Sequence, residues 1–131
     1  MDELIEWYGA QLDEDERIAN EAGGQRGQWR LATPLDDAEL GDASWLRPPY
    51  LRHVERHDPA RVLREVEAKR QILALHVPTP HQDEGDMWPG CTTCSWRDEM
   101  EALRVRYPCK TVRLLALPYA DRPGYREEWR P

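Results

Sequence analysis

The stretch HVPTPHQDEGDMWPGCTTCSWRDEMEALRVRYPC, residues 76–109, contains all three cysteines of the chain and decides its fold. Cys91 and Cys94 are separated by two threonines, and a Cys-x-x-Cys pair can reach one metal ion from a single tight turn. Cys109 precedes a helical run, so its sulfur lies at a helix N-terminus, where unpaired backbone N–H groups favour the metal-binding thiolate. The three cysteines therefore predict three ligands of one tetrahedral zinc ion.

The fourth ligand has two main candidates. His76 shares one helical stripe with Val62, Val66 and Leu73, so its ring points inward at the end of a helix, where a metal ion would give it a partner. His81, in the loop that follows, is the alternative. Four protein ligands close a zinc site and leave no position for a reacting water, so we expect a structural Zn²⁺ and no enzyme. The expected ligands are His76, Cys91, Cys94 and Cys109.

Other interpretations of these residues stay open. His53 and His57 lie four apart and could join Cys91 and Cys94 in a two-cysteine, two-histidine site that leaves Cys109 free. A redox dithiol usually begins a helix after a strand in a βαβ setting, which the sequence does not indicate. Three cysteines cannot all pair within one chain, so simple buried thiols are the remaining alternative. An iron–sulfur cluster would suit four cysteines better.

The composition describes one small polar domain with a thin core. The chain has 131 residues, 40% of them hydrophobic, with six Trp and no Phe, and its mean hydropathy is −0.86. Binding of a structural zinc ion contributes about 10–16 kcal/mol coupled to folding, which suits such a chain. No apolar run approaches the roughly 20 residues that cross a bilayer. The N-terminus is acidic and unlike a signal peptide, so we expect a cytoplasmic protein with no membrane partner.

The net charge of −7 is unevenly distributed. Residues 1–44 carry twelve acids and three bases, whereas residues 45–131 carry thirteen acids and fifteen bases. The two parts could attract each other or face different partners. A solvated acidic face on the first helix is the simpler interpretation.

Hydrophobic spacing predicts a mainly α fold, a single zinc-stabilised domain over 1–131 with three to five helices. An acidic helix over 2–22 ends at Gly23. Residues 23–50 are expected to be irregular or to form a short hairpin, with one strand at 28–32 and an extended segment at 46–50. Whether this segment is ordered stays open.

The clearest helix covers 58–76. Asp58 is its expected N-cap and Pro59 its first residue, and a shorter helix over 51–57 precedes it. Its outer face carries bases, but Glu65 and Glu67 dilute them and the whole protein is acidic. Contact with a phosphate backbone is therefore the less favoured function. The candidate contacts to a nucleic acid or another partner are Arg61, Arg64, Lys69 and Arg70.

The zinc knuckle and the C-terminal helices occupy 77–131. Proline and glycine predict a loop over 77–90, and a Ser95 cap predicts a short helix over 95–105. A further helix over 110–117 ends at Pro118. The polar tail contains Tyr125 and Trp129, which predicts that it folds back against the body.

Four segments are distinctive: LDEDE (12–16), HDPARVLREVEAKR (57–70), YPCKTVRLLALPYAD (107–121) and YREEW (125–129). Together they resemble a family of small actinobacterial and actinophage proteins known only as a domain of unknown function. The family is also similar in pairing a Cys-x-x-Cys with a later Pro-Cys. A Thr-Pro-Gly-Pro-Trp segment of its members appears here only as QRGQW (25–29). The resemblance implies a metal-bearing module and brings no known catalytic residues.

These observations favour a zinc-stabilised adaptor that binds a protein partner through exposed tryptophans and charged surfaces. The alternative is a nucleic-acid-associated regulator that uses the basic face of helix 58–76. Association with a protein should tolerate salt, whereas binding to a phosphate backbone should weaken steeply as salt rises.

Overall fold

The computed structural model describes residues 2–29 and 48–131. The chain divides into two units, one of residues 1–11 and 68–131 and the other of residues 12–67. In the described part, helices dominate but two small antiparallel sheets accompany them, so the expectation of a mainly α fold is confirmed only in part. No helix among these residues is both long and apolar enough to cross a bilayer.

Helix α1 spans Glu3–Glu21, as the apolar spacing predicts. Leu4, Tyr8 and Leu12 follow one another at four-residue intervals and are at most 1% exposed. The Asp2 carboxylate accepts a hydrogen bond from the backbone N–H of Leu4 at 2.9 Å, which satisfies one free donor of the first turn. Gly23, with φ of 124°, follows the last turn in a conformation that side chains disfavour.

The unit of residues 12–67 contains α2, Pro48–Arg56, and the first part of α3, Pro59–Leu75. The expected extended segment at 46–50 is wrong for its last three residues, because a proline at the first helical position starts α2 there. The short helix expected over 51–57 is confirmed within α2. Residues 28 and 29 do not form a strand. The rest of the strand expected over 28–32 lies outside the described residues.

Asp58 caps α3 as expected. Its Oδ1 accepts a hydrogen bond from the backbone N–H of Arg61 at 2.9 Å, and its Oδ2 accepts one from the backbone N–H of Trp29 at 3.2 Å. Gly27 lies so close to Pro59 that an added Cβ would stand 2.7 Å from the Pro59 Cβ atom. The start of α3 is thus held by the Asp58 carboxylate and by close packing of Pro59 against Gly27, where a larger residue would clash.

The other unit contains a β-hairpin where the sequence predicts a loop over 77–90. Strand β1, Pro78–Asp83, pairs antiparallel with β2, Asp86–Cys91. Glu84 and Gly85 form the two-residue turn with φ of 47° and 97°, the conformation that hairpin turns of this length favour. The loop prediction is wrong. It depends on the prolines of this segment, which usually break strands, but the edge strands of a two-stranded ladder tolerate proline.

The helix expected over 95–105 is also wrong. Residues Trp96–Arg97 form β3 and residues Ala102–Leu103 form β4, paired antiparallel. The Asp98 side chain accepts hydrogen bonds from the backbone N–H groups of Met100 and Glu101 at 2.8 and 2.7 Å. This side chain therefore closes a turn between two strands instead of starting a helix.

The C-terminal segments follow the sequence expectations. Helix α4 spans Lys110–Ala116, and a 3₁₀ turn over Leu117–Tyr119 continues it through Pro118. Trp129 is only 8% exposed, and its ring centroid lies 5.5 Å from that of Trp7. The Trp7 indole N–H donates to the carbonyl oxygen of Pro123 at 2.9 Å. The tail therefore folds back as predicted.

Candidate metal centre

His76 lies immediately after the last residue of α3. Its backbone N–H still donates to the carbonyl oxygen of Ile72 at 3.1 Å, so the helical hydrogen bonding continues to this residue. Val66, on the same stripe of α3, is buried, and His76 itself is only 9% exposed. The helix thus carries an imidazole into the interior of its unit.

Cys91 and Cys94 flank the tight turn that ends β2. The backbone N–H of Cys91 donates to the carbonyl oxygen of Val105 at 2.7 Å, and the carbonyl oxygen of Cys91 accepts the N–H of Ser95 at 3.0 Å. The first bond ties the turn to the segment after β4, and the second closes the turn itself. Both bonds fix the directions in which the two sulfurs leave the backbone.

Cys109 is the N-cap of α4, with extended φ and ψ of −73° and 168°. The chain reaches it by running beside the end of β2, where the backbone N–H of Tyr107 donates to the carbonyl oxygen of Pro89 at 3.0 Å. This pairing brings a cysteine distant in sequence next to the cysteine turn. The expected position of Cys109 at a helix start is confirmed.

The four side chains meet at one point. His76 Nδ1 lies 3.4 Å from the sulfur of Cys91, 3.5 Å from that of Cys94 and 3.4 Å from that of Cys109. All four candidate ligand atoms lie within 4.8 Å of one another. Cys91 and Cys109 are at most 1% exposed, so the centre is closed on the side of these two sulfurs. One imidazole and three thiols at this spacing form a group that can hold a metal ion.

The thiols influence one another strongly. Burial raises the pKa of Cys91, but hydrogen bonds to its sulfur from the backbone N–H of Cys94, the thiol of Cys109 and the backbone N–H of Thr93 outweigh burial and bring the pKa below 9.0. Burial, together with the nearby sulfurs of Cys91 and Cys109, raises the pKa of Cys94 to about 12. Three adjacent sulfurs therefore cannot all ionise by themselves, and a bound cation would stabilise the three thiolates.

The two threonines between Cys91 and Cys94 hold the backbone on both sides of His76, a role that the sequence does not predict. The Thr92 backbone N–H and hydroxyl donate to the carbonyl oxygen of Val77 at 3.0 and 2.9 Å. The Thr93 hydroxyl donates to the carbonyl oxygen of Leu75. These acceptors stand on either side of His76, so the cysteine turn holds the histidine backbone directly. Both acceptors are backbone carbonyls of another segment, so the sequence carries no signal for this role.

The other histidines are not part of this group. His81 lies on β1, where its ring packs against Trp88 with centroids 5.0 Å apart. Its Nε2 is buried and has no hydrogen-bond partner among the described residues. The rings of His53 and His57 are 4.6 Å apart, and both residues are exposed. Among residues 2–29 and 48–131, the four-residue group above is the one that could hold a metal ion.

Two of the four candidate basic residues of α3 contact other side chains in ways that the structure defines. The Arg61 guanidinium pairs with the Glu65 carboxylate at 2.7 Å. The Lys69 ammonium donates to the Tyr119 hydroxyl at 3.0 Å and lies 5.2 Å from the centre of that ring. Arg64 is exposed and Arg70 half-buried. Contact of these residues with nucleic acid stays a prediction.

Comparison with known proteins gives a family and no activity. No curated protein matches the chain, and no solved structure matches it. One family model, described as a family of unknown function, matches residues 1–131. The chain therefore belongs, over its whole length, to the family of unknown function DUF6221.

Proposed function

We propose that this protein is a zinc-stabilised adaptor, in which the metal ion is structural and an exposed hairpin surface binds another protein. The observation that carries the metal assignment is the spacing of the four ligand atoms. For bonds of about 2.3 Å to sulfur and about 2.0–2.1 Å to nitrogen, ideal tetrahedral angles place each sulfur roughly 3.6 Å from the nitrogen. The three distances from His76 Nδ1 are 3.4, 3.5 and 3.4 Å.

The ligand chemistry supports zinc over other ions. Thiolates and imidazole suit Zn²⁺, whereas Ca²⁺ and Mg²⁺ prefer oxygen ligands. Catalytic zinc sites keep an open position for water, and His76 with three cysteines fills all four positions. We therefore assign the metal to folding and no catalytic residue to this chain.

The positions of the four ligands along the chain support a structural role for the metal ion. The ligands come from the end of α3, the turn after β2 and the N-cap of α4. One ion bound there would join three elements that are separated in sequence and restrict the unfolded chain. Cys94→Ser should therefore lower the bound zinc and the melting temperature together. An unchanged melting temperature in a metal-free Cys94→Ser protein would contradict the structural role.

The β3–β4 hairpin supports an adaptor function. Trp96 and Leu103 are cross-strand partners, and each is 48% exposed; Met100, in the connecting turn, is 92% exposed. Exposed tryptophan beside other large apolar side chains is typical of protein-binding surfaces. A cytoplasmic location and an actinobacterial source stay predictions from the sequence.

A matched pair of variants tests the adaptor function. Trp96→Ala should abolish salt-tolerant association with a protein partner purified from the native cell. Leu114→Ala is the control, since Leu114 is also 48% exposed but lies on α4. Equal loss of binding in both variants, or binding that falls steeply with salt, would contradict the proposal.

A further inference from the structure

A small cavity of about 280 Å³ lies beside the β3–β4 hairpin. Its lining includes two arginines, Arg97 and Arg104, and three hydroxyl residues, Thr79, Thr92 and Ser95. No aspartate or glutamate lines it. The protein has a net charge of −7, so a cavity lined by two guanidinium groups and no carboxylate is unusually basic for this chain.

The two arginines stand on the same face of the hairpin. Arg97 is paired with Ala102, and Arg104 lies two residues further along the same side. Side chains in this diagonal relation are neighbours, so two like charges repel each other there. Sequence and register alone therefore place an unbalanced pair of positive charges at the cavity.

Neither charge is neutralised within the described part of the chain. Arg97 makes no ion pair there, and Arg104 donates one hydrogen bond, from Nη1 to the carbonyl oxygen of Gln82 at 3.1 Å. Other arginines of the chain do have partners. Each of four pairs with at least one glutamate: Arg17, Arg61, Arg126 and Arg130.

The hydrogen bond from Arg104 to the carbonyl oxygen of Gln82 also positions the Arg104 guanidinium group. It ties the Arg104 side chain to β1 through one N–H group and leaves its other N–H groups available for a ligand. Arg97 and Arg104 are both exposed at the mouth of the cavity, so an anion can enter from solvent. Guanidinium groups bind phosphate oxygens through paired hydrogen bonds, and the bond to Gln82 holds that of Arg104 in place.

We propose that this cavity is a binding site for a phosphomonoester, whose dianionic phosphate lies between Arg97 and Arg104. Two positive charges match the two negative charges of a terminal phosphate better than they match one carboxylate. The Thr79 hydroxyl, on the β1 wall, supplies a further polar group.

The cavity shares Thr92 with the cysteine turn, and Trp96 and Leu103 with the apolar hairpin surface, because these three residues also line it. Neither Arg97 nor Arg104 is a metal ligand, and neither belongs to the apolar hairpin surface of Trp96, Met100 and Leu103. Substitution of either arginine should therefore remove phosphate binding and leave zinc content and partner binding intact. The two proposals can therefore fail independently.

Isothermal titration with ribose 5-phosphate, inorganic phosphate and ribose tests the proposal on the full zinc-loaded chain. Both phosphates should bind, and ribose should not. Arg97→Ala and Arg104→Ala should each weaken ribose 5-phosphate binding by roughly tenfold or more, the effect of losing a charged hydrogen-bonding partner. Arg97→Lys should restore part of the affinity, since it keeps the charge but loses the paired donors.

Arg64→Ala is the matched control, because Arg64 is an exposed arginine that does not line the cavity. Its affinity for ribose 5-phosphate should stay within about twofold of the unmodified chain, and all variants should keep their zinc and melting temperature. Absence of binding by either phosphate would overturn the proposal. So would an equal loss in Arg64→Ala, or tighter binding of a single-stranded oligonucleotide without terminal phosphate at the same arginines.

Discussion

The carbonyl oxygen of Val77 accepts two hydrogen bonds from Thr92, one from the backbone N–H at 3.0 Å and one from the hydroxyl at 2.9 Å. Thr93 makes the equivalent contact with Leu75 on the other side of His76. The cysteine turn therefore does more than supply two sulfurs, because it also fixes the backbone on both sides of His76. Ligands held in place before binding give up less conformational entropy when the metal binds.

Thr92→Val should weaken the fold and the metal centre together. Valine keeps the shape of threonine but removes the hydroxyl donor to Val77, which should cost about 0.5–1.5 kcal/mol of unfolding free energy. Denaturant unfolding of the zinc-loaded protein measures this change. Thr111→Val is the control, since the Thr111 hydroxyl makes no hydrogen bond within the described residues. Equal effects of the two substitutions would refute the role of Thr92.

His76→Ala should lower zinc content and melting temperature much more than His81→Ala. His76 presents Nδ1 to three sulfurs, whereas His81 packs on Trp88 outside the group. Metal analysis and thermal unfolding of the two variants measure the difference. The reverse order would reassign the fourth ligand to His81.

Gly90→Ala should destabilise the hairpin, since an added Cβ would stand 2.0 Å from Cδ2 of His81. Overpacking of this kind costs typically about 1–3 kcal/mol. Shortening the neighbouring His81 side chain in the double variant His81→Ala/Gly90→Ala should recover much of the loss. A double-mutant cycle by denaturant unfolding checks this coupling, and strict additivity of the two changes would disprove the steric explanation.

The clustering of the four residues of the candidate metal centre could be predicted from the sequence because their signals are local. The spacing of Cys91 and Cys94, a cysteine before a helix and a histidine on an apolar stripe each depend on a few neighbouring residues. The sequence offers two histidines for the fourth position, and the structure places His76, and not His81, beside the three cysteines.

The two hairpins could not be predicted from the sequence, because their residues also fit other structures. Proline normally argues against a strand, yet Pro80 faces Pro89 across the β1–β2 ladder. Asp98 is as suitable for the first turn of a helix as for the strand turn that it closes. The hydrogen bonds of Thr92 and Thr93 end on backbone carbonyls of another segment, so no side-chain pattern reveals them.

Acidification should weaken the β3–β4 turn through protonation of Asp98. Backbone N–H groups of Glu101 and Met100 donate to the Asp98 carboxylate and hold its pKa below 3.8. A group whose pKa is lowered by folding stabilises the folded state above its unfolded pKa, and this contribution is lost as pH falls through the folded value. The amide NMR signals of Met100 and Glu101 should follow this titration. In Asp98→Asn they should be independent of acid, and an unchanged titration in that variant would contradict the assignment.

The most direct test of the central claim combines elemental analysis of the purified chain with its thermal unfolding before and after removal of metal by a chelator. We predict one zinc ion per chain, bound by His76, Cys91, Cys94 and Cys109, and a large loss of thermal stability when it is removed. A purified chain without metal that melts at the same temperature as one supplied with zinc would contradict the account.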